Sequence, residues 1–321
     1  MSVLTAWLAS PPPDAAVEIA PGRVSAVVVD ARGTGAVVQG YATETLAPGV
    51  VTASLAGRNI HDHDAVGAAI RSVLSRVGRR VGRVALVIPD AAAKVSLLHF
   101  EQVPSRHDDL DQLIRWQLRK SAPFPVEEAS VSFTPCATNA GGAGDFLVVL
   151  ARRAVVDEYE RVCADAGVYP GLVDITSLCV LNLLLASASV PPGDWLAVYV
   201  RPGSTSIAIV RGRDLIFFRI RPEDDEETLT DVVHQTAMYY QDRLSGQGFS
   251  RVCLGGDGRS ADAVDLARRS LEDRLGCRVD AIDATAVAGV SNRIAVSSDL
   301  LDVLAPLTGI LLRAQRDPVE A

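Results

Sequence analysis

Two short stretches carry residues that could work on a phosphate. One is AVEIAPGRVSAVVVDARG, residues 16–33; the other is WLAVYVRPGSTSIAIVRGRDLIFFRI, residues 195–220. Each reads as an apolar strand, a tight Pro-Gly turn and a second strand. A turn of this kind can wrap a phosphate in backbone N–H groups. It needs a small residue so that the backbone can approach, and a carboxylate just ahead to hold a metal-bound water. The candidates in that scheme are Glu18, Pro21 and Gly22 in the first copy and Gly203, Ser204 and Thr205 in the second. A third candidate is the double glycine Gly255–Gly256 in FSRVCLGGDGRS, residues 249–260. It would lie against the base and ribose of a nucleotide, or it is a plain strand-to-helix turn.

The second copy departs from the scheme. Aligned through Ser206, its acid position holds Tyr199 and its small-residue position holds Arg201. Tyrosine is neutral at pH 7 and serves there as neither base nor metal ligand. Arg201 brings a Cβ to a place where backbone should meet phosphate. Its guanidinium would bind a phosphate itself or face solvent. Glu18 can stand in for an aspartate and hold a magnesium-bound water, with its carboxylate displaced by one methylene. Activating a water for phosphoryl transfer needs positioned acids and a metal. With one acid position emptied, robust ATP hydrolysis is not expected, while binding of ATP with magnesium stays open. No residue is assigned a catalytic or metal-ligating role.

Other chemistry is thin. HDHD (61–64) places its histidines two residues apart, off a shared helix face, so Asp62 or Asn59 as a helix N-cap is the better reading. Five cysteines are widely spaced with no CxxC pair, which fits a reducing compartment. The histidines form no Ser–His–Asp or Cys–His motif. The net charge of −8 argues against a nucleic-acid surface. The basic stretch RSVLSRVGRRVGR (71–83) reads as the solvated face of a helix, and EDDEE (223–227) as a solvated helix start. The longest apolar run, 178–190, stops at Pro191, short of the ~20 residues that span a bilayer. The start has no basic n-region, so the expectation is a cytoplasmic protein that reaches a membrane through a partner.

The elements that must position these residues follow from periodicity. Three β-rich segments fill 16–45. A helix at 62–78 sets Val66, Ala69, Ile70, Val73 and Val77 on one face. Strands at 84–90 and 95–104 follow, then a helix from 108 that Pro123 and Pro125 end. Paired strands at 131–136 and 145–153 precede an amphipathic helix stopped at Gly167. Asp174 reads as a turn or capping residue, or as a cleft residue. Phe124 reads as a core plug. After the break at SVPPGDW (189–195) the three-strand opening recurs. Pro21–Gly22 answers Pro202–Gly203 and Ser25 answers Ser206, an internal duplication of shape. Helices at 226–244, 261–275 and 299–314 complete the chain. Two lobes that each open with three antiparallel strands indicate a duplicated actin-like, ribonuclease-H-like α/β fold with a nucleotide cleft between them.

The chain also resembles a known family. LDQLIRWQLRKSAPFPVEEASVSF and FLVVLARRAVVDEYERVCADAGVYPGLVDITSLCVLNLL look like consecutive blocks of PilM, the actin-like protein of type IV pilus assembly. AMYYQDRLSGQGFSRVCLGGDG resembles its paired-aromatic helix and glycine turn. The likeness runs from about residue 16 to 315. It implies a first lobe core at 1–90, an extra subdomain of the FtsA and PilM type at 91–160, a return to the first lobe at 161–190 and a second lobe at 191–321. It also implies a scaffold of the inner-membrane platform, coupled to motor components. Such a scaffold binds the cytoplasmic N-terminal peptide of a PilN-like membrane protein, in a groove between the first and extra subdomains. Many of the family bind ATP. Its phosphate loops resemble an acid–apolar–Gly strand end, where this chain has Glu18-Ile19-Ala20 and Tyr199-Val200-Arg201. The alternatives are an active ATPase or small-molecule kinase of the same superfold, and a GspL-like type II secretion component. The latter would be expected to continue into a membrane span that this sequence does not show.

Overall fold

The computed structural model describes residues 13–32, 35–78, 80–138, 142–187, 193–222, 227–256, 261–291 and 297–316. The first lobe opens with β1 (Ala15–Ala20), β2 (Arg23–Arg32) and β3 (Gly35–Thr45), then α1 (His63–Arg76) and β4 (Arg83–Ile88). β1 is buried at all six positions. It lies mid-sheet with both faces covered, which is why its sequence runs apolar without alternating. Asp62 caps α1, its side chain accepting from the Ala65 N–H at 2.9 Å.

The chain then leaves the lobe. β5 (Ala93–Phe100), α2 (His107–Leu118), β6 (Ala129–Thr138) and β7 (Gly144–Arg152) form a separate three-stranded sheet in the order β5-β7-β6. It has its own core, built on Leu110, Ile114, Leu118, Phe146, Val148 and Leu150. Phe124 packs against that core partly buried. The chain returns through α3 (Arg153–Asp165), β8 (Tyr169–Ile175) and α4 (Thr176–Ala186). The second lobe is β9 (Asp194–Arg201), β10 (Ser204–Arg211), β11 (Asp214–Pro222), α5 (Leu229–Arg243), β12 (Arg251–Gly256), α6 (Ala261–Leu275) and β13 (Val279–Ala281). β14 (Ala288–Val290) and α7 (Ser298–Arg316) follow.

The two large sheets share one plan. The first is ordered β14-β3-β2-β1-β4-β8 and the second β11-β10-β9-β12-β13. In each, three antiparallel strands are followed by two parallel ones. Hairpin register repeats as well: Glu18 faces Ser25 as Tyr199 faces Ser206, and Ala20 faces Arg23 as Arg201 faces Ser204. This is the duplicated actin-like fold, with the extra subdomain inserted between β4 and β8.

Two boundaries differ from the expected ones. α3 belongs to the first lobe, because Val155, Tyr159, Val162 and Cys163 are buried in its core. The end of the chain does too, since β14 pairs with β3 and α7 packs Leu300, Leu304, Leu307 and Leu311 against β2, β4 and α4. The apolar stripe of α7 says that one face is buried; it does not say against which sheet. Most of EDDEE lies outside the described residues; its last member, Glu227, pairs with Arg221.

Candidate functional site

Glu18 is fully buried near the end of β1, an inner strand of the first sheet. A carboxylate there must be paired, because burying an unpaired charge is prohibitive. Two arginines pair it. Arg23, just past the first turn, brings Nη2 to 3.2 Å from Oε2. Arg201, the last residue of β9 in the other lobe, brings Nη2 to 2.9 Å from Oε1, with its side chain 10% exposed. The Thr176 hydroxyl donates to Oε1 at 3.5 Å. Burial alone would pull the Arg201 pKa down; Glu18, Tyr199 and Asp90 around it reverse the effect and hold it above the ordinary value.

A second carboxylate, Asp90, follows β4 and is also buried. Oδ1 accepts from the Ser177 N–H and hydroxyl, each at 2.8 Å, which satisfies an orphan donor at the start of α4. Oδ2 accepts from the Ser206 hydroxyl of the second lobe at 2.9 Å. Burial raises the Asp90 pKa, opposed by those hydrogen bonds and by Arg201. Tyr199 is buried, its hydroxyl donating to the Asp302 carbonyl of α7 at 3.2 Å. On the same side the Gly256 N–H donates to the Asp302 carboxylate at 3.0 Å.

The two turns face each other across a cavity of about 410 Å³. Pro21, Arg23, Asp90, Thr176, Arg201, Gly203 and Ser204 are among its walls. Gly22 and Gly203 hold φ of 85° and 82°, the left-handed region both tight turns require. So the structure brings Pro21, Gly203 and Ser204 to the cavity wall; Gly22 lies in the turn beside it, and Glu18 is buried behind it, bonded to the two wall arginines Arg23 and Arg201. Thr205 lies on β10 opposite Val200, outside the cavity wall. Gly255 and Gly256 are also outside it, and packing explains them: a Cβ would meet Ile282 at 2.9 Å on Gly255 and the Val200 carbonyl oxygen at 1.8 Å on Gly256.

The expectation for Glu18 as holder of a magnesium-bound water meets a physical obstacle. Both its oxygens already accept from guanidinium groups, and both Asp90 oxygens accept from serines. A divalent ion held there, directly or through water, would sit beside two guanidinium charges that already outnumber the carboxylate they pair. The cleft residues therefore do not fit magnesium. Among the described residues no group of three acidic, histidine or cysteine side chains could hold a metal ion.

A second hollow, of about 510 Å³, lies between the extra subdomain and the first lobe. Ser130–Cys136 of β6 form one wall; Leu178, Asn182 and Leu185 of α4 form another; Arg213 and Leu215 of the second lobe close an end. Asp174 is here and not in the cleft. It accepts from the Ile175 N–H at 2.8 Å and pairs with Arg313 of α7. Burial raises its pKa, with Arg313 acting against the rise. No local motif marks this hollow, since its walls come from six separated segments.

The model of the type IV pilus assembly protein PilM matches residues 16–236. The chain belongs to the PilM family. Among solved structures it is similar to the PilM–PilN type IV pilus biogenesis complex, with a TM-score of 0.81 at 17% identity over 95% of this chain and 99% of that one. It is also similar to the ethanolamine utilization protein EutJ from Carboxydothermus hydrogenoformans, at 0.50 and 12% over 94% and 90%. The cytoplasmic domain of EpsL, an inner membrane component of the type II secretion system of Vibrio cholerae, scores 0.45 at 13% over 77% and 83%. No curated protein matches the sequence. Among the described residues no helix is long and apolar enough to cross a membrane.

Proposed function

We propose that this PilM-family protein is a non-catalytic scaffold of a type IV pilus inner-membrane platform. It binds the cytoplasmic N-terminal peptide of a PilN-like membrane protein, and its ATP site is degenerate. The observation that carries the reading is the hollow between β6 and α4, in a chain that superposes on a PilM–PilN complex over nearly its whole length. β6 is one of the two edge strands of its sheet, and an extended peptide can add to such a strand. The opposite wall of leucines with one amide, Asn182, suits an apolar segment carrying few polar groups. Attachment through that peptide would place the protein at the membrane periphery, within reach of motor components. The degenerate site is supported by the guanidinium that occupies Glu18 and by Tyr199 at the second acid position.

The test is calorimetric titration of a synthetic PilN-like N-terminal peptide into the protein. Sub-millimolar binding is expected, weakened by Asn182→Ala and lost in Leu185→Glu. A peptide that binds none of the three proteins, or all three equally, would remove the groove from the account. The competing ATPase reading requires phosphate release above background that Glu18→Ala abolishes; none is expected.

A further inference from the structure

The cleft and the peptide hollow are joined by one piece of sheet. β9, β10 and β11 form an antiparallel ladder in the second lobe, unbroken between β9 and β10 and with one register shift between β10 and β11 at Ile209/Val210. One end of it is the turn at Pro202–Gly203, in the cleft. The other is the turn at Gly212–Arg213, beside the peptide hollow. The eight residues of β10 span about 25 Å between them, at ~3.3 Å per residue. At the cleft end the ladder is tied to the first lobe twice, by Arg201 to Glu18 at 2.9 Å and by Ser206 to Asp90 at 2.9 Å. At the far end the Arg213 guanidinium donates to the Leu185 carbonyl at 3.0 Å, and Leu215 is buried in one cluster with Leu181.

We propose that Arg201 is a positioning residue for the partner groove. Its guanidinium takes the place of a divalent cation between the lobes, and so fixes the ladder whose far end closes the hollow. This rests on the groove reading above. A metal bound with nucleotide would cross-link the lobes only while present; an arginine on β9 does so permanently. The groove is then shaped with no nucleotide at all. The geometry explains why a cation sits at a turn position that otherwise favours a small residue. It also explains why Glu18 survives as an acid in this cleft: without Glu18 the guanidinium loses its directly bonded counter-charge across the cleft.

The test uses three full-length variants beside wild type: Arg201→Gln, Arg201→Lys and Glu18→Gln. Peptide affinity is measured by calorimetry, and radius of gyration by small-angle X-ray scattering without peptide. We expect Arg201→Gln and Glu18→Gln to weaken the peptide by about tenfold, a usual size for coupling between sites. Both should expand the molecule, while Arg201→Lys stays close to wild type. A purely local role for Arg201 would leave the scattering unchanged. Glu18→Gln preserves volume and reads the same bridge should Arg201→Gln fail to fold. Unchanged affinity and unchanged radius in the folded neutral variants overturn the proposal. A wild type that binds no peptide instead sinks the groove reading. The two failures are distinguishable, because the scattering arm needs no peptide.

Discussion

Hairpin β1–β2 turns at Pro21–Gly22 with Glu18 opposite Ser25; hairpin β9–β10 turns at Pro202–Gly203 with Tyr199 opposite Ser206. The backbones match residue for residue, down to the left-handed glycine. The side chains do not. The first hairpin keeps an acid and has alanine where the second has arginine. The second has lost its acid, and its arginine reaches across to the acid of the first. In a symmetric pair of phosphate loops the two carboxylates would share a metal. Here the one carboxylate holds two guanidiniums, Arg23 from its own hairpin and Arg201 from the other. A duplicated fold thus preserves the shape of its turns after their chemistry has changed, because turn geometry depends on the Pro-Gly pair and strand pairing while metal binding depends on a few carboxylate oxygens.

Four substitutions break or sharpen that comparison. The largest effect is expected for Glu18→Ala, which strips two guanidiniums of their shared counter-charge in a buried site. It should cost about 3–5 kcal/mol of stability, read by urea unfolding. Arg201→Ala should cost less, about 1–3 kcal/mol, because Arg23 still pairs Glu18. A loss for Arg201→Ala as large as that for Glu18→Ala would show that Arg23 contributes nothing. Gly22→Ala and Gly203→Ala should each cost about 1 kcal/mol, and equally. Both have positive φ, and an added Cβ meets nothing within 4 Å at either. Unequal losses would mean the two turns are not equivalent.

The smallest effect concerns pH. Asp90 has a folded pKa raised above its ordinary value, chiefly by burial. The folded state then binds its proton more readily than the unfolded chain. Stability from this group is present at low pH and lost as pH rises through the folded value. Asp90→Asn does not titrate. Its melting temperature relative to wild type should therefore be highest near neutral pH and decline as pH falls toward 4. A difference that grows on acidification would give Asp90 the opposite shift.

Much of the fold is legible in the sequence because its signals are local. The Pro-Gly turns, the buried apolar strands and the cap of α1 each lie within a few residues. What is not legible comes from distance. Arg201 stands out as a cation in a small-residue position, but its partner is 183 residues away and nothing near it names Glu18. Ser177 reaches Asp90 across 87 residues, and neither has a motif to single it out. Tyr199 reads as a lost acid, yet its burial and its bond to the Asp302 carbonyl depend on where α7 docks. The double glycine invites a nucleotide reading, and what the sequence does not show is that packing also requires small residues there, against Ile282 at Gly255 and the Val200 carbonyl at Gly256.

The most direct test of the account is the affinity of a PilN-like N-terminal peptide measured twice, once with EDTA and no nucleotide, and once with millimolar magnesium-ATP. The account predicts the same sub-millimolar Kd in both, because the arginine already does between the lobes what a metal would do. Binding that appears only with magnesium-ATP would contradict it, and would mean that the cleft still governs the groove through nucleotide.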